Sequence, residues 1–228
     1  MPAEWDAWTT QGNAKLASLE GMIMKRNFVC LIVAVALTGR THQALVGTAS
    51  PTNFSSRFDQ RISSPVTYTI ESTSLTKLQK NDTVIGFHCN THSYPVDGIY
   101  AFTGSIPAMM EAVFDNFNES KGTPQKGIIQ LVFRIERFEP RMMFKENFGY
   151  DAFATVEVGL SVLGTRDGKR VFGTSVDSQH FRTGVAGPFC SRAGGVLADA
   201  TREAIKDVLE KVGERLSNDQ QLRLSASQ

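Results

Sequence analysis

The segment Tyr150–Leu163, YDAFATVEVGLSVL, puts Ala152, Ala154, Val156, Val158, Leu160 and Val162 at every second position. Only an extended chain gathers such residues on one face, because strand side chains alternate whereas helical ones repeat every 3.6 residues. The preceding stretch, IIQLVFRIERFEP, has the same period on Ile129, Leu131, Phe133 and Ile135, with Gln130, Arg134 and Glu136 opposite. Pro140 is expected to end that strand, since proline lacks the amide proton a ladder needs. After the long strand comes TRDGKR, and its Asp167-Gly168 pair is a tight-hairpin signal. Both central residues of such a turn need positive φ, which glycine and aspartate tolerate. VFGTSVDSQ then reads as the returning strand. Three antiparallel strands are therefore expected, each with one apolar face to cover.

Two amphipathic helices supply the cover. Ile106, Met109, Met110, Val113, Phe114 and Phe117 recur at helical spacing, with Ser105 expected as the cap and Pro107 in the first turn. A longer helix is expected from about Arg192 to Leu216, with Val196, Leu197, Ala200, Ala204, Ile205, Val208, Leu209 and Val212 on one face. SPVTYTIES and DTVIGFHC read as two earlier strands, and Asn90–Gly98 as a loop. The expected fold is α+β, a two-layer sandwich of a mostly antiparallel sheet packed against two helices. Residues 65–217 form this single domain, residues 41–64 a polar tether, and residues 218–228 a disordered tail. Hydrophobic residues at 41% are enough for its core. With 24 basic and 23 acidic residues, nothing in the charge balance calls for nucleic acid as a partner.

The chain ahead of this domain carries an address. Met24-Lys25-Arg26-Asn27 is a short positive run, and Phe28–Leu37 is an apolar run of ten residues. Ten residues cannot cross about 30 Å of hydrocarbon as a helix, but they suit the apolar core of an export signal. Residues 1–23 fit poorly in front of such a signal and read as an upstream extension, with translation starting at Met24. The signal closes on Leu37-Thr38-Gly39-Arg40. LTGR resembles a bacterial lipobox, Leu-(Ala/Ser/Thr)-(Gly/Ala)-Cys, with arginine where the lipid-bearing cysteine belongs. The resemblance implies a lipoprotein-type chain, 24–40 being its signal peptide and Arg40 a degenerate lipidation site. Without the thiol there is no atom to acylate, so the product is expected in the periplasm. A cysteine at position 40 would instead anchor it to the outer membrane. Cleavage after Ala49, with Gly47 and Ala49 as small residues, is the lipid-free alternative.

A wider resemblance rests on Phe138-Glu139-Pro140 closing a long strand, the RDGKRVF hairpin (166–172) and the terminal helix ADATREAIKDVLEKVGERL (198–216). In element order, residues 64–216 are similar to small outer-membrane lipoproteins of the YajG-like and LpoB/PelC-like group, whose domain is like the N-terminal domain of TolB. The resemblance implies a non-enzymatic envelope protein that binds other envelope components or self-associates, with no catalytic residue and no cofactor. A periplasmic carrier of lipid or another apolar ligand is the alternative.

Residue chemistry adds three expectations. Removing the signal removes Cys30 and leaves Cys89 and Cys190, an even pair in an oxidising compartment. A bridge would close a loop of about 100 residues, worth about 4–5 kcal/mol in the chain-entropy model; two separate buried thiols are the alternative. His88, Cys89 and His92 have ligand chemistry, but a fourth ligand is missing and neighbouring strand residues point to opposite faces, so no metal is expected. Cys89 with a histidine and Asp97 could in principle make a nucleophilic dyad, and Ala193-Gly194-Gly195 a phosphate cradle, but neither motif is complete. Arg141–Tyr150 combines Met142, Met143, Phe144, Phe148 and Tyr150 with Arg141 and Lys145. Read as a loop, it is the expected contact with a partner protein or the outer membrane, with folding back to cover the core as the alternative.

Overall fold

The computed structural model describes residues 41–81, 83–85, 89, 92–120, 125–145 and 151–225. The expected upstream extension, the export segment with Arg40, and His88, Phe148 and Tyr150 lie outside the described residues.

Three long strands dominate: β7 (Ile129–Lys145), β8 (Asp151–Arg166) and β9 (Lys169–Val185). They pair antiparallel in chain order, and Arg166 faces Lys169 across the hairpin. Asp167 and Gly168 both have positive φ, 52° and 75°, as the two-residue turn requires. The rest of this sheet is parallel. β2 (Val66–Ile70) pairs with β7 over residues 129–133, β6 (Phe117–Glu119) pairs with β2, and β4 (Thr83–Ile85) pairs with β7 over 141–143. A smaller sheet joins β1 (Ala44–Leu45), β5 (Pro95–Asp97) and β3 (Gln79–Asn81). Helices α2 (Ile99–Val113) and α3 (Ala193–Ser217) cover one face of the large sheet, while α1 (Ser72–Leu75) and α4 (Gln220–Ser225) are short. The α+β sandwich expected from sequence is the observed architecture.

The core lies between the helices and one face of the strands. Ala152, Ala154, Val156, Val158, Leu160 and Val162 of β8 are all buried, as their alternation requires. Ile106, Met109 and Met110 of α2 and Leu197, Ile205, Val208 and Leu209 of α3 are wholly buried in the same cluster. At roughly 2 kcal/mol per buried large apolar side chain, this interface is the main source of stability.

Four sequence expectations change. Pro140 does not end its strand; β7 continues to Lys145. The proline falls between the segments of β7 that pair with β2 and β4, where a missing amide proton disturbs no second parallel ladder. A β-bulge between Ile135 and Arg137 also shifts the register, so the buried set changes from odd to even positions: Phe138, Met142 and Phe144. Met142 and Phe144 are thus core residues of a strand rather than tips of a loop, and Met143 alone of that described trio is exposed.

The first helix begins at Ile99, not at Ser105. Asp97 Oδ1 accepts the amide of Ile99 at 2.9 Å, and Pro107 sits inside the helix. Ser105 is buried; its hydroxyl donates to the Ala101 carbonyl and accepts the amide of Ala49 at 2.8 Å. That last bond belongs to the third change. Residues 41–64 are not a tether, since everything from Thr41 onward forms one unit. Ala44, Val46, Ala49 and Ile62 are buried, and β1 is a strand of the small sheet. Cleavage after Ala49 would cut that strand away. The terminal segment changes likewise: Leu222 is wholly buried, and the Arg223 guanidinium lies 3.8 Å from the Phe58 ring centroid while donating to the Gln60 carbonyl.

Candidate interaction surface

Cys89 and Cys190 form a disulfide with Cα atoms 6.2 Å apart, across a separation of 101 residues. Both are buried. The bridge ties the segment after β4 to the turn joining β9 to α3. That turn is conformationally expensive. Gly187 has φ 72° and ψ 178°, a combination open only to glycine, and Phe189 and Cys190 have φ of 50° and 58°. Left-handed backbone costs about 1–2 kcal/mol at each non-glycine residue. The bridge and the Arg192 amide, which donates to the Ala186 carbonyl at 2.8 Å, hold it in place. Its outcome is a Phe189 side chain 70% exposed.

Beside the bridge the first described residues are zipped to the domain. Thr41 pairs with Ser93, and the His42 amide donates to the Ser93 carbonyl at 2.8 Å. His42 Nε2 and His92 Nδ1 are 2.7 Å apart with nearly parallel rings, so a ring N–H of one donates to a ring nitrogen of the other. His42 also stacks on Tyr94, whose ring lies 5.7 Å from Phe144. The sequence offered no signal for His42, because its partner is fifty residues away.

The candidate chemistries are placed as follows. Cys89 is bonded to Cys190, so its sulfur is neither a thiolate nucleophile nor a thiolate ligand. Asp97 precedes α2, accepting the amide of Ile99 at its start and the Gln79 Nε2 proton at 2.7 Å. Gly194 serves close packing: a Cβ there would stand 3.1 Å from the His42 carbonyl oxygen and 3.3 Å from that of Gln43. Two of the grooves formed by the described residues are open to solvent. One, of about 350 Å³, is lined by Gln43, Lys80 and Asp97 among others. The other, of about 480 Å³, lies between α2 and β2 and is lined by Tyr68, Ile70, Leu75, Pro107 and Glu119. Burial, and secondarily the Glu119 charge, pushes the Tyr68 hydroxyl above its ordinary pKa.

The face of β7–β9 turned away from the helices has two zones. At mid-strand it is ionic: Arg137 reaches Glu157 at 3.4 Å and Asp177 at 3.1 Å. Toward the end of β7, the start of β8 and the end of β9 it becomes apolar. Met143 faces Phe153, which faces Thr183, and Phe181 lies one rung away opposite Thr155. The Phe153 and Phe181 rings are 6.0 Å apart, and Lys145 Nζ lies 5.0 Å from the Phe153 centroid. Met143 is 39%, Phe181 55% and Val185 57% exposed. Val185 leads directly into the strained turn bearing Phe189, so these side chains belong to one end of the domain. Of the loop expected from sequence, Met143, Arg141 and Lys145 contribute; Phe153, Phe181, Val185 and Phe189 come from elements read as plain strand or connection.

No family model matches the chain, and no curated protein does. Solved structures are similar at low identity. A Xanthomonas campestris protein of family DUF330 is 11% identical, covering 77% of this chain and 93% of its own, with a TM-score of 0.45. An Acinetobacter baumannii minor lipoprotein is 10% identical over 69% of this chain and 93% of its own, with a TM-score of 0.36. A Caulobacter crescentus lipoprotein is 14% identical over 53% of this chain and 80% of its own, with a TM-score of 0.32. Likenesses of this strength carry no functional argument. Among the described residues no helix is long and apolar enough to cross a membrane.

Proposed function

We propose that this chain is a non-enzymatic, exported cell-envelope protein of lipoprotein type that acts as an interaction or assembly module at the outer membrane. The observation that carries the reading is the buried Cys89–Cys190 bridge fastening an end of the domain that exposes aromatic side chains. A structural disulfide persists in an oxidising compartment, in keeping with the export signal read at residues 24–40. Exposed apolar side chains grouped at one end of an otherwise polar sheet face mark a contact surface rather than a core. Envelope components and further copies of the chain are the partners this reading calls for.

A carrier of apolar ligands would need a chamber between helices and sheet. There Phe133, Ile135, Leu160, Ile205 and Leu209 are wholly buried in one cluster. At the edge of that interface, the open groove between α2 and β2 beside Tyr68 is the place such a ligand would occupy.

The test is the intact mass of the protein exported by a Gram-negative host, beside that of the Arg40→Cys variant. The expected result is loss of the signal with no lipid in the native form, and a gain of three acyl chains in the variant. A native chain that keeps residues 24–40 and stays in the cytosol contradicts the reading.

A further inference from the structure

The large sheet has unequal edges. On one side it ends in β6 and β4, three residues each. On the other it ends in β9, seventeen residues that pair with β8 alone among the described strands. At every second residue such an edge strand presents an amide proton and a carbonyl that its own ladder does not use. Contacts from α3 identify those residues. Lys211 Nζ donates to the Asp177 carbonyl at 2.9 Å and Arg215 Nη1 to the Ser175 carbonyl at 3.0 Å, so both carbonyls point away from β8. The hairpin gives the same phase. Arg166 and Lys169 flank a two-residue turn as a hydrogen-bonded pair, and the bulge opposite Gly164 moves the bonded set of β9 to even positions. The odd residues Gln179, Phe181 and Thr183 therefore turn their backbone groups outward as well. Basic side chains of α3 guard one half of the edge; among the described residues, none reaches the carbonyls of the other half.

Alternating outward amides and carbonyls are satisfied by an extended strand. The positions of the open groups indicate which strand fits. An antiparallel partner centred on Gln179 would need the Ser175 and Asp177 carbonyls that α3 already holds. One centred on Phe181 uses the open residues 179, 181 and 183 alone. With β9 of a second copy in that place, a two-fold axis sets Phe181 against Phe181 and Gln179 against Thr183 on both sides. Asp177 then lies opposite Val185, so no like charges meet on this face. On the helix side Arg182 comes beside His180 of the other copy, and each has its own carboxylate, Glu203 at 4.0 Å and Asp207 at 3.7 Å. The Phe181 side chain, 55% exposed in one copy, is covered by its own counterpart. About six backbone hydrogen bonds form across the axis.

We propose that the open half of β9, residues 179–183, pairs antiparallel with the same segment of a second copy about a two-fold axis at Phe181, joining two sheets into one. The inference rests on the reading of the chain as an interaction module and names the partner and the geometry. Export is judged by mass, self-pairing by association, so the two can fail separately.

The experiment is sedimentation velocity of the purified protein over a range of concentrations. The contact is small, so a dimer with Kd on the order of 10 µM is expected. Phe181→Lys sets two ammonium groups against each other and should weaken association by about tenfold or more. Its unfolding midpoint, measured well below the wild-type Kd, should stay at the wild-type value, which separates loss of pairing from loss of fold. A second variant gives the register. Residues opposite each other in a hydrogen-bonded antiparallel pair have Cα atoms about 5.5 Å apart, within disulfide range. Phe181→Cys should therefore link into covalent dimers with oxidised glutathione, whereas Ser175→Cys, on the guarded half, should not. A protein that stays monomeric to about 200 µM overturns the proposal. So does a dimer or larger ring that Phe181→Lys leaves intact, or linkage at 175 equal to that at 181.

Discussion

The two faces of β8 come from the same sixteen residues and have opposite fates. The even positions, Ala152 to Val162, are small or branched and buried beneath α3. The odd positions hold Phe153 at one end, Glu157 in the middle and the exposed Leu163 at the other. The first face is uniform because packing demands only volume and apolarity. The second is a mosaic, and a mosaic face records something other than stability. Its middle is ionic, and its aromatic end adjoins the strained turn that the Cys89–Cys190 bridge fastens.

Substitutions on the two faces should therefore separate folding from contact. Leu160→Ala, on the covered face, should cost about 2–5 kcal/mol in urea unfolding, because the cavity it leaves lies in the centre of the core. A cost below about 1 kcal/mol would mean that α3 is not packed there. Next comes the fastening of the aromatic end. Cys190→Ser should lower stability by about 2–4 kcal/mol, and the wild-type protein in reductant should unfold at the temperature of the variant.

A smaller effect is expected at the rim where α3 meets β9. Burial pushes the Asp207 carboxyl upward, but hydrogen bonds from Lys211 and Ser178, with the charges of Lys211 and His180, outweigh it and hold the pKa below its ordinary value. Lys211 Nζ is 2.8 Å and Ser178 Oγ 2.7 Å from Asp207 Oδ2. A carboxylate whose folded pKa is depressed stabilises the fold above its unfolded pKa of about 3.9, and that stabilisation disappears as pH falls through the folded value. Asp207→Asn should thus cost about 1 kcal/mol or less at pH 7, and the gap from wild type should close under strongly acidic conditions. A gap that widens on acidification would contradict the assignment. The smallest change in stability belongs to the open face. Phe181→Ser should shift the unfolding midpoint by about 0.5 kcal/mol or less. A loss comparable to that of Leu160→Ala would mean that Phe181 is structural and that the aromatic end is not a docking surface.

Much of the fold could be read from the residues, because alternation and the Asp167-Gly168 pair are local signals. The long helix from 193 to 217 was legible for the same reason. Legibility failed where a partner distant in sequence took over. The bulge at Ile135–Arg137 broke the alternation of β7, so Met142 and Phe144 looked like loop residues although they continue the buried set in a new phase. Residues 41–64 are polar in composition, and their order comes from strand β5 and from Ser105, fifty or more residues away. Ser105 resembled a helix cap because serine often serves as one; here its hydroxyl instead anchors Ala49. The aromatic end was legible only in part, through Met143 and Lys145. Phe181 and Phe189 join them through sheet register and a left-handed turn, which no window along the chain displays.

Oxidation of one cysteine pair links compartment, fold and surface, and it can be measured directly. Protein taken from the envelope fraction is denatured and alkylated with and without prior reduction, and its intact mass recorded. The account predicts no alkyl groups on Cys89 and Cys190 without reductant, two after reduction, and loss of Phe28–Leu37 with the signal. Both cysteines labelled without reductant, in a chain still carrying that apolar run, would contradict it.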